Sequence, residues 1–120
     1  EDFIFRRSTS RFKARMPPGT LYGFAQEKYR KLVQASVAVT PDGVIRDVMI
    51  TGDYGIAPPD ADEEIASLIK GLTVNDYEEA VRRVKKLFSK PGYEITGATV
   101  EEFLTPVFIA AKKAVEGKSG

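Results

Sequence analysis

The chain has 120 residues, 42% hydrophobic and 29% charged, which is the size and composition of one globular domain. It contains no cysteine and no histidine, which excludes disulfides, thiolate catalysis, the usual general base and the commonest transition-metal ligand. No apolar run approaches the roughly 18 residues of a membrane span. The apolar run at 3–5 is too short for a secretory signal, so a cytoplasmic protein that contacts no membrane is expected.

The formal net charge is only +1, but the charge is unevenly distributed. Residues 1–35 carry eight Lys or Arg against three acidic residues, whereas the rest of the chain carries ten against fourteen. Basic and aromatic side chains alternate near the start: Phe5, Arg6, Arg7, Arg11, Phe12, Lys13 and Arg15. Such a segment suits a phosphate group or an acidic partner surface, with Lys13 and Arg15 as candidate contacts. The alternatives are a solvated arm and a nucleic-acid contact, although no DNA- or RNA-reading motif is present.

The sequence predicts three regions of different regularity. Residues 1–30 are expected to form a basic arm or linker with short strands, one of them at 20–22, because Pro-Pro-Gly at 17–19 breaks any longer element. The folded domain is expected at 31–116. A flexible tail is expected at 117–120.

The clearest signal is a β-hairpin. Residues 33–40 alternate between apolar and polar side chains, which predicts a half-buried strand. Pro-Asp-Gly at 41–43 predicts a tight turn, and residues 44–51 a second strand, so a central antiparallel hairpin is expected at about 32–51. The hairpin tip carries no lysine, which excludes a lipoyl or biotinyl acceptor domain, since such a domain presents its modified lysine there.

Three amphipathic helices are predicted after the hairpin, with a brief strand at 93–95. Their ends follow from capping and helix-breaking residues: Asp60 with Glu63 to Gly71, Thr73 or Asn75 to Pro91-Gly92, and Thr99 with Glu102 onward. Strands followed by helices indicate an α+β fold. A small antiparallel sheet is therefore expected, covered on one face by about three helices.

The corner at Gly52 and Asp53 is the most pointed functional candidate. Glycine permits a positive φ, and the Asp53 carboxylate can orient a ligand or a partner loop, or merely pin the turn. Tyr54 beside it can line a pocket or pack in the core. The acidic residues of the next segment lack the spacing of a calcium loop and are interpreted as favourable charge at a helix start: Asp60, Asp62, Glu63 and Glu64. No catalytic residue and no metal site is predicted.

A series of short matches carries a family resemblance. It consists of Lys31-Leu32-Val33, Asp42 to Val48, Ile50-Thr51-Gly52-Asp53-Tyr54, a proline at 58 or 59, Gly71-Leu72, and Thr96 to Phe103. From about residue 10 to 115, this ordered series resembles the C-terminal accessory domain of lipoate–protein ligases. The chain has Tyr29-Arg30 where that family usually has paired glycines.

The resemblance implies a non-catalytic accessory domain or subunit that assists ATP-dependent formation of lipoyl-AMP. Its partner is then the catalytic domain or subunit and, indirectly, a lipoyl-acceptor protein. ATP, magnesium and lipoate are expected in the complete enzyme, and no cofactor in this chain alone. Together with the residue types, the resemblance makes Lys31, Gly52, Asp53 and Tyr54 candidate ligand or partner contacts. The rival interpretation is a nucleic-acid- or protein-binding module that uses the basic arm and has no connection with lipoate.

Overall fold

The structure is a computed structural model that describes residues 16–119. Its elements, in chain order, are β1 (Leu21–Lys28), β2 (Leu32–Val39), β3 (Ile45–Gly52), β4 (Gly55–Ala57), α1 (Ala61–Ile69), α2 (Tyr77–Leu87), β5 (Glu94–Thr96) and α3 (Val100–Ser119). Strands β1, β2 and β3 form an antiparallel sheet in that order, and β4 pairs with β5 in a second, two-stranded sheet. The α+β class predicted from the sequence is confirmed.

The hairpin of β2 and β3 is confirmed within one residue at its ends. Its turn closes where the sequence predicts it, with the amide of Gly43 donating to the carbonyl of Thr40 at 2.9 Å. Gly43 has a φ of +88°, which glycine adopts without strain. The Thr40 hydroxyl also accepts from the amide of Val44 at 3.0 Å, so the tip is held on both sides.

The prediction that the first hairpin strand is half-buried is wrong, because β2 is buried on both faces. Gln34 and Ser36 are only 6% and 3% exposed, although they lie on the face opposite the apolar core. As the central strand, β2 has side chains of β1 and β3 on either side of it. The Gln34 amide donates to Gln26 of β1 at 2.9 Å and its oxygen accepts from Thr51 of β3 at 3.5 Å, so its polar atoms are satisfied without water.

The sheet begins earlier than the sequence indicates. The short strand predicted at 20–22 is an eight-residue strand, β1, which pairs with β2 along its whole length. Residues 21–28, assigned to the N-terminal arm from the sequence, therefore belong to the sheet. Gly23 lies directly under α3, and a Cβ there would overlap the carbonyl oxygen of Ala110. The absence of a side chain at 23 is what lets the helix approach this strand.

Helix α3 packs across β1 and β2, α1 flanks β3, and α2 contacts both other helices. The predicted capping box of α3 is confirmed: the amide of Thr99 donates to Glu102 at 3.1 Å, and the amide of Glu102 donates to the Thr99 hydroxyl at 3.1 Å. For α1, Asp60 occupies the predicted N-cap position, but its side chain forms no capping hydrogen bond, so the capping box predicted with Glu63 is wrong. The amide of Glu63 donates to the backbone carbonyl of Asp60 at 3.1 Å and to the carboxylate of Asp62 at 2.9 Å.

The core lies between the sheet and the helices. Its largest fully buried side chains come from every layer: Phe103, Leu104 and Val107 of α3, Ile65 and Ile69 of α1, Val84 of α2, and Val33, Val37, Val39 and Ile45 of the sheet. Among the residues that the structure describes, no helix combines the length and apolar character needed to cross a membrane.

Candidate functional site

Three loops meet at one end of the main sheet. They are the β1–β2 turn, which contains Lys31, the β3–β4 turn at 53–54, and the β5–α3 connection, which contains Gly97. A Cβ on Gly97 would lie 2.5 Å from Cγ of Lys31 and 3.6 Å from Cα of Tyr54. The fold therefore brings Lys31 and the Gly52-Asp53-Tyr54 corner together, as a shared site requires, and packs both of them against Gly97.

Gly52 is fixed by its backbone. It has a φ of +150°, and a Cβ at this position would overlap the carbonyl of Leu32 in the neighbouring strand. That carbonyl accepts a hydrogen bond from the amide of Asp53 at 2.9 Å. The glycine thus lets β3 turn away from β2, while the amide of Asp53 keeps the two strands hydrogen-bonded up to that point. This is a structural reason for glycine at 52, independent of any ligand.

Tyr54 is an anchor of this corner. Its hydroxyl donates to the carbonyl of Ile50 at 2.9 Å, and its ring packs edge-on against Phe103 of α3, with the ring centroids 4.9 Å apart. Burial raises the pKa of this hydroxyl well above its usual range, and the negative charge of Asp62 adds to the rise. The hydroxyl therefore stays protonated at neutral pH and acts as a hydrogen-bond donor to the backbone.

Asp53 and Lys31 are the charged candidate residues at this end of the sheet. Both residues are exposed, and neither side chain forms an ion pair or side-chain hydrogen bond with residues 16–119. Asp53 holds the corner through its amide, and its carboxylate is left directed at solvent. A carboxylate and an ammonium group held on rigid turns can recognise charged groups of a ligand or partner.

Two further candidates, Lys13 and Arg15, lie outside the described residues, as does the rest of the basic arm predicted before residue 16. Gly97 and Phe103, by contrast, lie within the described residues and contact the site, although the sequence does not predict them as site residues. Gly97 has a φ of +94° and carries no side chain between Lys31 and Tyr54. Its sequence signals are its place just before the α3 capping box and its inclusion in the matched stretch from Thr96 to Phe103.

The acidic residues near 60 have two different surroundings. Glu64 accepts a hydrogen bond from the Tyr93 hydroxyl at 2.7 Å. This structural contact accounts for an acidic residue at position 64. Asp62 and Glu63 line a groove of about 440 Å³ between β3 and α1, with Asp47 and Lys70 at its other end. No set of three or more acidic groups placed to hold a metal ion occurs within residues 16–119.

Comparison with solved structures finds a similar fold in an archaeal protein. The chain superposes with a TM-score of 0.62 on a chain from Thermoplasma acidophilum, in a structure described as an archaeal lipoylation system, a bi-partite lipoate protein ligase and its E2 lipoyl domain. The superposition covers 73% of this chain and 96% of that chain, with 17% sequence identity. At that identity the likeness concerns the fold.

No family model matches the sequence, and no curated protein matches it. The structural comparison alone shows that this fold also occurs in a lipoylation system. The residues at the sheet end receive no assignment from the comparison.

Proposed function

We propose that this chain is the accessory domain or subunit of a lipoate–protein ligase, and that it assists the catalytic domain in forming lipoyl-AMP from lipoate and ATP. The observation that carries the proposal is the superposition on nearly the whole length of a chain from a two-part ligase system. The ordered series of sequence matches, from Lys31 to Phe103, supports the same assignment independently of the structure.

The chemistry of the chain agrees with an accessory role. The chain contains neither histidine nor cysteine, the side chains that most often serve as general base and as thiol nucleophile. The hydroxyl of Tyr54, whose pKa is strongly raised, is committed to a backbone carbonyl. In this proposal the catalytic partner holds ATP, magnesium and lipoate, and the present chain helps to close the site and exclude water, as lids do.

Under this proposal the exposed end of the sheet faces the partner's nucleotide or acyl site. Lys31 supplies a cation for a phosphate or a partner carboxylate, and Asp53 supplies an acceptor for a partner donor. Gly52, Gly97 and Tyr54 hold the two charged residues in place. The basic residues Lys13 and Arg15 are proposed as additional contacts to phosphate or to the partner.

The test is reconstitution with a lipoate–protein ligase catalytic domain. Lipoate-dependent pyrophosphate release from ATP would be measured for the catalytic domain alone, for this chain alone, and for the mixture. The proposal expects turnover in the mixture well above that of the catalytic domain alone, and none from this chain alone. Equal rates with and without the chain, across catalytic domains from several sources, would contradict the accessory role.

The candidate residues are tested in the same assay. Lys31→Ala and Asp53→Ala are expected to lower the stimulated rate, because each removes an exposed charge at the proposed contact. Matched controls are Lys86→Ala on α2 and Asp42→Ala at the opposite end of the hairpin, both exposed. A folded Asp53→Ala variant that stimulates as fully as the Asp42→Ala control would remove Asp53 from the site and leave the accessory role standing.

A further inference from the structure

The β1–β2 turn carries one anchored residue between two exposed ones. The last pair of the ladder is Lys28 with Leu32, and the amide of Tyr29 donates to the carbonyl of Lys31 at 3.2 Å, so only residues 29–31 form the turn. Both sequence neighbours of Tyr29 are exposed, whereas its own side chain is half-buried and packs against the hydrophobic core. Because the turn is so short, the position of Tyr29 affects that of Lys31.

Tyr29 is anchored on helix α3. Its hydroxyl is hydrogen-bonded to the side chain of Thr105, and the Thr105 hydroxyl itself donates to the carbonyl of Glu101 at 2.7 Å. Burial raises the pKa of the Tyr29 hydroxyl, the bond with Thr105 lowers it by less, and the charges of Glu27 and Glu102 add to the rise. The hydroxyl therefore stays protonated at neutral pH and donates to the oxygen of Thr105.

The two charged turns of the candidate site contact α3 from opposite sides. Tyr54 of the β3–β4 turn packs on Phe103, and Tyr29 of the β1–β2 turn bonds to Thr105. Side chains two residues apart on a helix point in directions about 200° apart. The first two turns of α3 thus lie between the two tyrosines, and the helix sets the separation of the two turns that carry Lys31 and Asp53.

The stem of Lys31 also contacts the fold. It passes over Gly97, where a Cβ would lie 2.5 Å from Cγ of Lys31. A flexible alkyl stem on a glycine does not by itself fix the backbone from which it leaves. A cation whose backbone is ordered before binding loses less conformational entropy when it makes its contact. The anchored tyrosine, two residues away in the same turn, supplies that order.

We infer that Tyr29 is a positioning residue of the candidate site: by tying the β1–β2 turn to Thr105 of α3, it holds Lys31 next to the Asp53 corner in the geometry that a partner or phosphate contact requires. The inference rests on the proposed function, because that function gives Lys31 its contact. It adds a residue that touches neither ligand nor partner and acts only through Lys31.

The first test is a double-mutant cycle in the reconstitution assay. The readout is the concentration of this chain that gives half-maximal stimulation of a catalytic domain. Tyr29→Ala is expected to raise it about tenfold, roughly the cost of ordering one backbone residue, with the maximal rate unchanged. Tyr29→Phe keeps the ring packing and is expected to restore most of the affinity. In the Lys31→Ala background, Tyr29→Ala is expected to have no further effect, because the residue it positions is gone.

The second test uses this chain alone. NMR relaxation of the isotopically labelled protein measures the order of the Lys31 backbone amide. Tyr29→Ala is expected to lower its order parameter from about 0.85, typical of rigid backbone, to below about 0.6. Thr105→Val removes the acceptor without changing the turn and is expected to lower it by less. The control is Tyr22→Ala at the other end of β1, which is expected to leave the Lys31 amide unchanged.

The possible failures are distinguishable. An Lys31 amide that stays equally rigid in Tyr29→Ala and Thr105→Val would overturn the inference. So would half-saturation losses of Tyr29→Ala and Lys31→Ala that add in the double variant, since a loss of general stability adds in this way. No stimulation by the unmodified chain would contradict the proposed function instead, and the relaxation result would still decide whether Tyr29 orders the turn.

Discussion

Replacing Tyr54 with phenylalanine isolates one hydrogen bond at the candidate site. The change removes the bond to the carbonyl of Ile50 and keeps the edge-on contact with Phe103. A hydrogen bond between neutral groups contributes about 1 kcal/mol to folding. With an unfolding entropy of about 2.1 cal/mol/K per residue, that corresponds to a fall in Tm of about 4 °C for this chain. Tyr54→Ala also removes the ring and is expected to cost about 3–5 kcal/mol, as other aromatic truncations in cores do.

The measurement is thermal and urea unfolding followed by circular dichroism, with Tyr77→Phe as the control. The Tyr77 hydroxyl donates to the carbonyl of Glu101 at 3.1 Å in an exposed position, where water can replace it, so a change within about 0.5 kcal/mol is expected. Equal stability losses for the two variants, or none for Tyr54→Phe, would refute the claim that the Tyr54 hydroxyl anchors this corner.

The pH dependence of folding stability provides a second test of the Tyr54 hydroxyl. The folded-state pKa of Tyr54 is raised above its unfolded value of 10.0. The unfolded chain therefore loses this proton first, and stability that is fully present below pH 10 declines as pH rises toward the folded-state pKa. Tyr54→Phe lacks this group and is expected to show a shallower loss of stability above pH 10. Identical slopes for the two proteins would contradict the burial of the hydroxyl.

Three further predictions concern other residues. Gly52→Ala is expected to destabilise the protein more than Gly71→Ala in urea unfolding, because both have positive φ but only Gly52 lacks room for a Cβ. Thr99→Ala removes the α3 cap and is expected to cost about 1 kcal/mol by the same measurement. Hydrogen bonds from Arg82 and its neighbour lower the pKa of Glu79 to about 2. Its contribution to stability is therefore present above pH 4.5 and lost as pH falls toward 2, and NMR titration of the carboxyl group measures this directly.

The sequence predicts local features well where a few adjacent residues determine the geometry. The turn at 41–43 follows from the order Pro-Asp-Gly, and the α3 cap follows from Thr99 and Glu102. In both cases the hydrogen bonds close between residues three apart, so the geometry depends little on distant parts of the chain.

The sequence does not predict features that depend on packing between distant segments of the chain. Strand β1 gives a weak periodic signal because two of its inward positions are Gly23 and Ala25, kept small by the close approach of α3. The pairing of β4 with β5 joins segments almost 40 residues apart, which periodicity cannot reveal. The meeting of Lys31 with Tyr54 over Gly97 depends on the same long-range contacts.

Titration of a lipoate–protein ligase catalytic domain with this chain tests the central claim most directly. The readout is lipoate-dependent pyrophosphate release at fixed catalytic-domain concentration, with the Lys31→Ala variant titrated in parallel. The account predicts a rate that rises and saturates as the chain is added, and a higher concentration for half-saturation with the variant. A flat titration, or pyrophosphate release by this chain without any catalytic domain, would contradict it.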